Sequence, residues 1–301
     1  MILTVTFNPA IDHTYTVKKD LTEDHIMRTD DSQFDAGGKG INVASYLNTL
    51  GKDTVATGLL GGFTGEFIQE KLDEQGISHD FAEAGTTRIN TTVIGEKTEY
   101  KVNHSGPETD HQAVEMVIDR IQAREPEIVV ISGSLPPGLD YSAVEKIGGS
   151  VDADIVVDLH GDVLGQLEGS YLLAKPNRKE LSEATGTEIK TVEDCRKASK
   201  LLLDRGFDNV LASLGEDGAV LSTKEQTYFV EGLEYEVVDT TGAGDAMLAS
   251  MLSGLQDGMD KKDALKQALA FSTLAVETSG TRPPDIERLE EYMREVEVRV
   301  I

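Results

Sequence analysis

Several residue types are scarce or missing in this chain, and each absence excludes a class of protein. The 301 residues include one cysteine, Cys195, and no tryptophan. One cysteine excludes an intrachain disulfide and leaves too few thiolates for a metal cluster, so Cys195 is expected to be an incidental thiol in a polar helical stretch. No apolar run approaches the roughly 20 residues of a membrane-spanning helix, and the N-terminus lacks the basic segment of a signal peptide. We therefore expect a cytoplasmic protein with no membrane partner.

Basic residues are also few. The sequence has 28 Lys and Arg residues against 54 Asp and Glu residues, which gives a formal net charge of -26. Such a surface repels nucleic acid, so nucleic acid is not expected as a partner. It also repels anionic small molecules, so a phosphate ligand would need a few cations lining its cleft. An acidic surface of this kind is expected of a halophilic protein, because high salt screens the self-repulsion.

Short runs of β-branched residues alternate with longer stretches that have helical apolar spacing. Near-continuous apolarity marks strands buried on both faces, so the pattern predicts an α/β fold with a mostly parallel, doubly wound sheet flanked by helices. The predicted strands are 2–7, 54–59, 128–132, 155–159, 172–175 and 210–213. The segments 14–17 and 90–103 alternate polar and apolar residues instead, which predicts a small separate sheet that would act as a lid. One domain over 1–301 is expected, with lid strands drawn from about 12–36 and 88–104.

The most informative segment, 237–252, predicts a short strand, a turn with two glycines, and a helix that is apolar on nearly all sides. Gly242 and Gly244 allow backbone conformations that aim successive N–H groups at one point, and the helix adds the positive end of its dipole. Such a turn suits a transferring phosphoryl group. Asp245 would be kept ionised by the same dipole and would accept a proton from a sugar hydroxyl. Alternatively, Thr241 or Asp245 only caps the helix.

Two common nucleotide-binding motifs are absent. The chain has no G-x-x-x-x-G-K-[ST], and 242–247, Gly-Ala-Gly-Asp-Ala-Met, lacks the third glycine of the dinucleotide fingerprint. A Walker-type ATPase and an NAD-dependent enzyme are therefore not favoured.

The segment 239–245, Asp-Thr-Thr-Gly-Ala-Gly-Asp, resembles the C-terminal signature of the ribokinase-like PfkB carbohydrate kinases. The segment 34–44, Phe-Asp-Ala-Gly-Gly-Lys-Gly-Ile-Asn-Val-Ala, is similar to the N-terminal glycine signature of that family. Further segments match in order, so the resemblance spans nearly the whole chain: 8–12, 87–90, 130–138, 175–180 and 213–218. Within the family, the combination is most similar to 1-phosphofructokinases and tagatose-6-phosphate kinases. Ala246 stands where many relatives have Ser, which leaves the proposed base in place.

The resemblance implies a ribokinase-like fold and the ATP-dependent phosphorylation of a sugar phosphate, with Mg²⁺ as the metal. Fructose 1-phosphate, phosphorylated at its 6-hydroxyl, is the first expectation; fructose 6-phosphate and tagatose 6-phosphate are the alternatives. A homodimer formed through the lid strands is also implied. Two functions without turnover stay open: a regulator that binds nucleotide or sugar phosphate, and a nucleotide-binding structural subunit.

The resemblance assigns the acceptor sugar to residues of the N-terminal half. Those expected at its hydroxyls are Asp12, Gly37, Gly38 and Asn42; those expected at its phosphate are Lys39, Arg88 and Ser134, with Lys101, Asn103 and Arg28 as weaker candidates. An ionised carboxylate accepts two hydroxyls at once, and the Arg fork suits phosphate. Alternatively, Asp12 and Ser134 stabilise turns, Lys39 is solvated and Arg88 pairs with a carboxylate.

The C-terminal half is expected to bind the nucleotide. The expected residues are Lys175, Asn177, Ser213, Leu214, Gly215 and Gly218, with Gly242, Ala243 and Gly244 forming the anion-binding turn beside the base Asp245. Asn177 and Glu180 resemble the N-x-x-E element that holds magnesium and its waters, and a helix would place both on one face. The same pair is also typical of a helix cap with its capping-box acid. His160, the histidine nearest the expected cleft, is given no role.

Overall fold

The computed structural model describes residues 1–22 and 26–301. Its strands are β1 (Ile2–Thr6), β2 (Ala10–Thr16), β3 (Asp31–Gly37), β4 (Thr54–Leu60), β5 (Ser78–Glu83), β6 (Arg88–Ile94), β7 (Glu99–Val102), β8 (Ile128–Ser132), β9 (Asp154–Asp158), β10 (Leu173–Ala174), β11 (Asn209–Ser213), β12 (Ala219–Thr223), β13 (Thr227–Val230) and β14 (Val298–Val300). Its helices are α1 (Lys39–Thr49), α2 (Gly62–Glu74), α3 (His111–Arg124), α4 (Tyr141–Ser150), α5 (Gly161–Leu164), α6 (Arg178–Thr185), α7 (Val192–Leu203), α8 (Ala243–Gln256), α9 (Lys261–Val276) and α10 (Leu289–Glu295).

Ten strands form one large sheet in the order β14-β13-β12-β11-β10-β9-β8-β1-β4-β5. Neighbouring strands from β11 to β5 pair in parallel, whereas β12, β13 and β14 add an antiparallel edge. All six predicted buried strands lie in the parallel part. The predicted mostly parallel sheet is therefore confirmed, although the antiparallel edge was not predicted.

Side chains of the parallel strands alternate between two apolar layers. In β8, Val129 and Ile131 belong to one buried cluster and Val130 belongs to the other. Helices α3, α4, α6 and α7 contribute to the first cluster, and α1, α8 and α9 contribute to the second. Burying each such side chain stabilises the fold by about 1.5–3 kcal/mol, which explains why these strands carry apolar residues on both faces. The doubly wound arrangement is confirmed.

A small separate sheet has the order β3-β2-β6-β7. Its central strand β2 pairs antiparallel with β3 and parallel with β6, so that Asp12 lies opposite both Asp35 and Asn90. The predicted lid ranges contain these strands, apart from the first two residues of β2 and the last residue of β3. Residues 23–25 of the first range lie outside the described residues. The sheet carries Asp12 on β2 and Arg88 at the start of β6.

The helix predicted after the glycines is present as α8, but the strand predicted before them is not. Residues 231–237 and 239–240 have no regular structure and 238 is a bend. The backbone N–H groups of Val238 and Asp239 both donate to the carbonyl of Val276 at the end of α9, at 2.9 and 3.1 Å. Both N–H groups are thus bonded to the end of a helix, so they do not pair with a neighbouring strand.

Two further expectations concern Cys195 and membrane spans. Cys195 lies in α7 with its side chain fully buried, and burial raises the pKa of the thiol to about 12. A neutral buried thiol is unreactive, as expected of an incidental cysteine. Among the described residues, no helix is long and apolar enough to cross a bilayer.

Candidate active site

A cavity of about 930 Å³ opens at the carboxyl ends of the parallel strands. The loops that follow β1, β8, β9, β10 and β11 contribute Asn8, Ser134, His160, Asn177 and Gly215 to its wall, respectively. Ligands of open α/β sheets bind at this edge because polar loops converge there. The small sheet closes one side of the cavity, and the turn before α8 closes another.

Most residues predicted from the sequence meet in this cavity. Those lining it are Asp12, Gly38, Lys39, Asn42, Arg88, Ser134, Lys175, Asn177, Ser213, Leu214, Gly215, Gly218, Gly242, Ala243, Gly244 and Asp245. Gly37 and Glu180 do not line it, although both touch residues that do. Asn103, Lys101 and Arg28 are exposed outside the wall, and Lys101 pairs with Glu99 at 3.0 Å. Asn103 follows β7, which pairs with β6 at the rim of the small sheet, so its assignment to the acceptor's phosphate stays a prediction.

Asp245 lies in the first turn of α8 with 6% of its surface exposed. Its Oδ2 accepts a hydrogen bond of 2.7 Å from Nδ2 of Asn42. Asn42, expected at the sugar, therefore holds the proposed base in place. Oδ1 of Asp245 is left to accept a hydrogen bond from a bound hydroxyl.

Burial raises the pKa of Asp245 to about 6, and the negative charge of Asp158 also raises it. The positive charge of Lys39 and the hydrogen bond from Asn42 act in the opposite direction. Burial is the largest of these effects, so the pKa is raised although the group lies in the first turn of the helix. A carboxylate that gains its charge near pH 6 is well matched to proton abstraction at neutral pH.

The turn before α8 is built around Gly242, which has φ of 80° and is the N-cap of the helix. A Cβ at this position would lie 2.8 Å from Oη of Tyr46, so only glycine fits. No side chain caps α8. The alternative in which Thr241 or Asp245 caps the helix is therefore not what forms, and the first N–H groups of α8 are left to bind an anion.

A buried cluster of alternating charges lies beneath the turn. Nζ of Lys39 contacts Oδ1 of Asp158 at 2.8 Å and Oε1 of Glu180 at 3.1 Å, and Nζ of Lys175 lies 3.4 Å from Oδ2 of Asp158. Burial acts to raise the pKa of Asp158, but the two ammonium groups hold it below its ordinary value. Burial also acts to lower the pKa of Lys39, whose neighbouring carboxylates raise it well above its ordinary value.

Asp158 is the main functional candidate that sequence reasoning missed. It ends β9 with no exposed surface, as the last residue of the run Ile-Val-Val-Asp. A carboxylate at the carboxyl end of a buried strand is the signal that could have identified it. Its contacts also show that Lys39, whose side chain is 30% exposed, pairs with carboxylates at the ends of a strand and of a helix.

Arg88 is held by groups from three segments. Its Nη1 donates to the carbonyl of His104 at 2.7 Å, and its Nη2 donates to the carbonyl of Asn8 at 2.9 Å and to Oγ of Ser134 at 3.4 Å. Nε of Arg88 is buried and has no partner among residues 1–22 and 26–301. The guanidinium is thus fixed at the wall with a donor to spare, and the alternative in which Arg88 pairs with a carboxylate does not form among the described residues.

Asp12 faces the same part of the cavity. Its Oδ1 accepts a hydrogen bond of 2.9 Å from Nδ2 of Asn90, which also lines the cavity. Burial raises the pKa of Asp12, and the contacts with Asn90 and Arg88 lower it again in part. A Cβ on Gly37 would lie 2.1 Å from Oδ2 of Asp12, so the glycine makes room for this carboxylate.

The other end of the cavity is more apolar. Sequence reasoning missed its apolar wall, which consists of Leu233, Tyr235, Val237, Met247, Leu269 and Val276. Gly215 and Gly218 also line the cavity. Flat apolar walls beside exposed peptide groups suit a nucleotide base, which is apolar on its faces and polar on its edge.

Asn177 and Glu180 form a reciprocal capping box at the start of α6. Oδ1 of Asn177 accepts from the N–H of Glu180 at 2.9 Å, and Oε2 of Glu180 accepts from the N–H of Asn177 at 2.8 Å. Within the described part of the chain, no three His, Cys, Asp or Glu residues are grouped to hold a metal. The pair therefore fits only a hydrated Mg²⁺, held mainly by phosphate oxygens and contacting the protein through waters.

The model of the pfkB family of carbohydrate kinases matches residues 5–288. The chain belongs to the PfkB family. A 1-phosphofructokinase of Haloferax volcanii is 43% identical over 302 residues, covering 100% of this chain and 99% of the relative. A D-tagatose-1-phosphate kinase of Bacillus licheniformis is 32% identical over 305 residues and 99% of both chains. The crystal structure of phosphofructokinase-2 from Escherichia coli in complex with fructose-6-phosphate matches with a TM-score of 0.88 at 26% identity, covering 98% of each chain.

The resemblance noted in the sequence is thus confirmed, and so is the ribokinase-like fold. As a PfkB kinase, the protein is a phosphotransferase with an alcohol group as acceptor. Membership of a sugar kinase family implies ATP as the co-substrate and a sugar phosphate as the partner molecule.

Proposed function

We propose that the protein is a 1-phosphofructokinase, which transfers the γ-phosphoryl group of ATP to the 6-hydroxyl of fructose 1-phosphate and yields fructose 1,6-bisphosphate and ADP. The observation that carries this proposal is the position of Asp245 in the wall of a cavity whose two ends differ in chemistry. Arg88 and Asp12 lie at one end, and the apolar wall lies at the other. The relative from Haloferax volcanii, named 1-phosphofructokinase, supports the choice of acceptor.

The acceptor is oriented by its own phosphate. We assign the 1-phosphate to Arg88 and Ser134, with the side chain of Asn8 next to them, because Asn8 Nδ2 lies 3.2 Å from Oγ of Ser134. Asp12 and Asn90 accept and donate hydrogen bonds at the sugar hydroxyls. With both groups held, the far 6-hydroxyl points to Asp245, and its proton goes to Oδ1 as the oxygen attacks phosphorus.

The migrating phosphoryl group is met by fixed donors and cations. The N–H groups of Gly242 to Gly244 face it, and their geometry does not need to reorganise during the reaction. We assign the ammonium groups of Lys39 and Lys175 to the same charge, which differs from the expectation that Lys39 binds the acceptor's phosphate. Support for this comes from the ion pairs of both lysines with Asp158, which fix them near the turn.

ATP would lie with its base against the apolar wall and its phosphates along Ser213 to Gly218 and the turn. When bound, Mg²⁺ would neutralise charge on the triphosphate, and Asn177 and Glu180 would contact its waters. The protein's own part is to orient both substrates, exclude water and accept the proton.

Tagatose 1-phosphate is the second candidate acceptor. The relative from Bacillus licheniformis is named D-tagatose-1-phosphate kinase. Tagatose differs from fructose only in the configuration at one ring carbon, so the same phosphate site would hold both sugars. The hydrogen bonds of Asp12 and Asn90 would decide between them.

A coupled assay of ADP release tests the proposal with four sugar phosphates, fructose 1-phosphate, fructose 6-phosphate, tagatose 1-phosphate and tagatose 6-phosphate, and with unphosphorylated fructose and tagatose. We expect the highest kcat/KM with fructose 1-phosphate and weak turnover of both 6-phosphates, whose 6-hydroxyl is blocked. Turnover of unphosphorylated sugars alone would contradict the role of Arg88.

Four further properties belong to this proposal. We propose that residues 1–301 act as one kinase domain with the small sheet as lid, and that the enzyme works in the cytoplasm. We also propose a homodimer through the lid strands, because this sheet exposes the apolar side chains Phe34, Ile89, Ile94, Tyr100 and Val102. Sedimentation of a Val102→Asp variant tests the dimer, which should dissociate.

The net charge of -26 supports adaptation to high salt, and equal unfolding curves at low and molar KCl would contradict it.

A further inference from the structure

The hydroxyl of Tyr46 is buried against the anion-binding turn. The side chain has no exposed surface, and within residues 1–22 and 26–301 its Oη has no hydrogen-bond partner. Oη would lie 2.8 Å from a Cβ on Gly242, which places the phenol directly beside the N-cap of α8. Buried polar groups without a partner are rare in folded proteins, so each of them calls for an explanation.

The position of Tyr46 in α1 relates it to the base. Asn42 lies one helical turn earlier on the same face of α1, and it donates to Asp245. Tyr46 lies beside Gly242. Gly242 precedes Asp245, which bears that carboxylate, by three residues. Its ring is fixed by an edge-to-face contact with Phe271, with ring centroids 5.8 Å apart and an interplanar angle of 87°. One helix face therefore supports both the base and the turn.

The hydroxyl of Tyr46 carries no charge, so it can either donate a hydrogen bond to this turn or lie beside it as a neutral group. Burial raises the pKa of Tyr46 well above its ordinary value, and the nearby charges of Asp245 and Asp239 raise it further. The phenol therefore keeps its proton at every physiological pH. Gly242 lies beside this hydroxyl, and the carbonyl of Thr240, two residues earlier in the turn, receives only a long contact of 3.4 Å from the N–H of Ala243.

We propose that Tyr46 is a positioning residue for phosphoryl transfer. When the turn holds the migrating phosphoryl group, the hydroxyl donates a hydrogen bond to a backbone carbonyl of segment 240–242 and keeps the N–H groups of the turn aimed at the phosphoryl oxygens. This role rests on the proposed function of the turn. The hydroxyl gains this carbonyl partner only while the turn holds the migrating phosphoryl group, so the hydrogen bond stabilises the transition state and not the free enzyme.

Replacement of Tyr46 by phenylalanine tests this role, since it removes the hydroxyl and keeps the ring. We expect kcat to fall about fivefold, the scale of one neutral hydrogen bond, with an unchanged KM for the sugar phosphate. The melting temperature of the free variant should equal or exceed that of the wild type, because no hydrogen bond is lost. Tyr171→Phe is the control: Tyr171 is buried far from the turn, stacked on Phe207, and its variant should keep kcat.

A binding measurement separates this role from the sugar assignment. ADP with aluminium fluoride, a mimic of the migrating phosphoryl group, should stabilise the wild type against heat more than ADP alone. In Tyr46→Phe this extra stabilisation should be smaller, with the effect of ADP alone unchanged. Equal extra stabilisation, an unchanged kcat, or a kcat loss accompanied by a lower melting temperature would overturn the role of Tyr46. No extra stabilisation of the wild type would overturn the phosphoryl site itself.

Discussion

The side-chain amide of Asn42 donates a hydrogen bond of 2.7 Å to the carboxylate of Asp245, although 203 positions separate them in the chain. This bond ties α1, which begins in the N-terminal glycine signature, to α8, which begins in the C-terminal one. The proposed base is thus oriented by the half of the chain to which the acceptor is assigned.

The pH dependence of the enzyme should follow Asp245. The group must be deprotonated to accept a proton, and its pKa is raised to about 6. We therefore expect kcat/KM for fructose 1-phosphate to be constant above about pH 7 and to fall about tenfold per pH unit well below pH 6. A profile with no acid limb between pH 5 and 7 would contradict this assignment.

Asn42→Ala should move that acid limb. The hydrogen bond from Asn42 lowers the pKa of Asp245, so its loss should shift the limb to higher pH. We also expect kcat to fall about tenfold to a hundredfold, because the carboxylate is no longer held. Asn48→Ala is the control, since this exposed residue lies on the same helix away from the cavity. If kcat falls but the acid limb of the pH profile does not shift, Asn42 does not act through the pKa of Asp245.

Arg88→Gln should weaken acceptor binding. Losing a charged contact to phosphate costs about 2–3 kcal/mol, so kcat/KM for fructose 1-phosphate should fall about a hundredfold while KM for ATP stays constant. Steady-state kinetics with each substrate varied in turn measure this. Arg196→Gln, a change in an exposed pair with Glu193, should leave both constants as they are. An increase in KM for ATP alone would contradict the division of the cavity into two ends.

Gly242→Ala should disable the turn without unfolding the protein. Both Gly242 and Gly258 have positive φ, of 80° and 79°, but only at Gly242 would a Cβ meet a neighbour, Oη of Tyr46 at 2.8 Å. The Gly258→Ala variant therefore tests backbone strain alone, whereas in Gly242→Ala the new Cβ also displaces the turn. We expect similar melting temperatures and a kcat at least tenfold lower for the change at 242. Equal activity of the two variants would contradict an anion-binding turn.

The large sheet could be predicted from the sequence because its parallel strands are apolar on both faces, as in the run Val129-Val130-Ile131. The antiparallel edge could not, since its strands are short and β14 is half-exposed, with no clear period. Helix α8 was predicted from its glycines and apolar run. Val237 and Val238 were mistaken for a strand, whereas the N–H groups of Val238 and Asp239 donate to the carbonyl of Val276 at the end of α9.

The site could be predicted residue by residue where a motif carried it, but the contacts between motifs could not. Lys39 shows this: a lysine among glycines indicates a phosphate, yet its partners Asp158 and Glu180 lie more than a hundred positions away. Asp158 was missed because a lone Asp after a strand is common. The place of Asn103 could not be predicted either, since it depends on the pairing of β7 with β6 at the rim of the small sheet.

Replacement of Asp245 by asparagine tests the central claim most directly. The amide keeps the shape of the side chain but does not accept the proton, so phosphoryl transfer from ATP to fructose 1-phosphate should fall about a thousandfold or more. Calorimetric titration should show ATP binding as tight as in the wild type. Transfer within about tenfold of the wild-type rate would contradict the account, because the carboxylate would then not be the base.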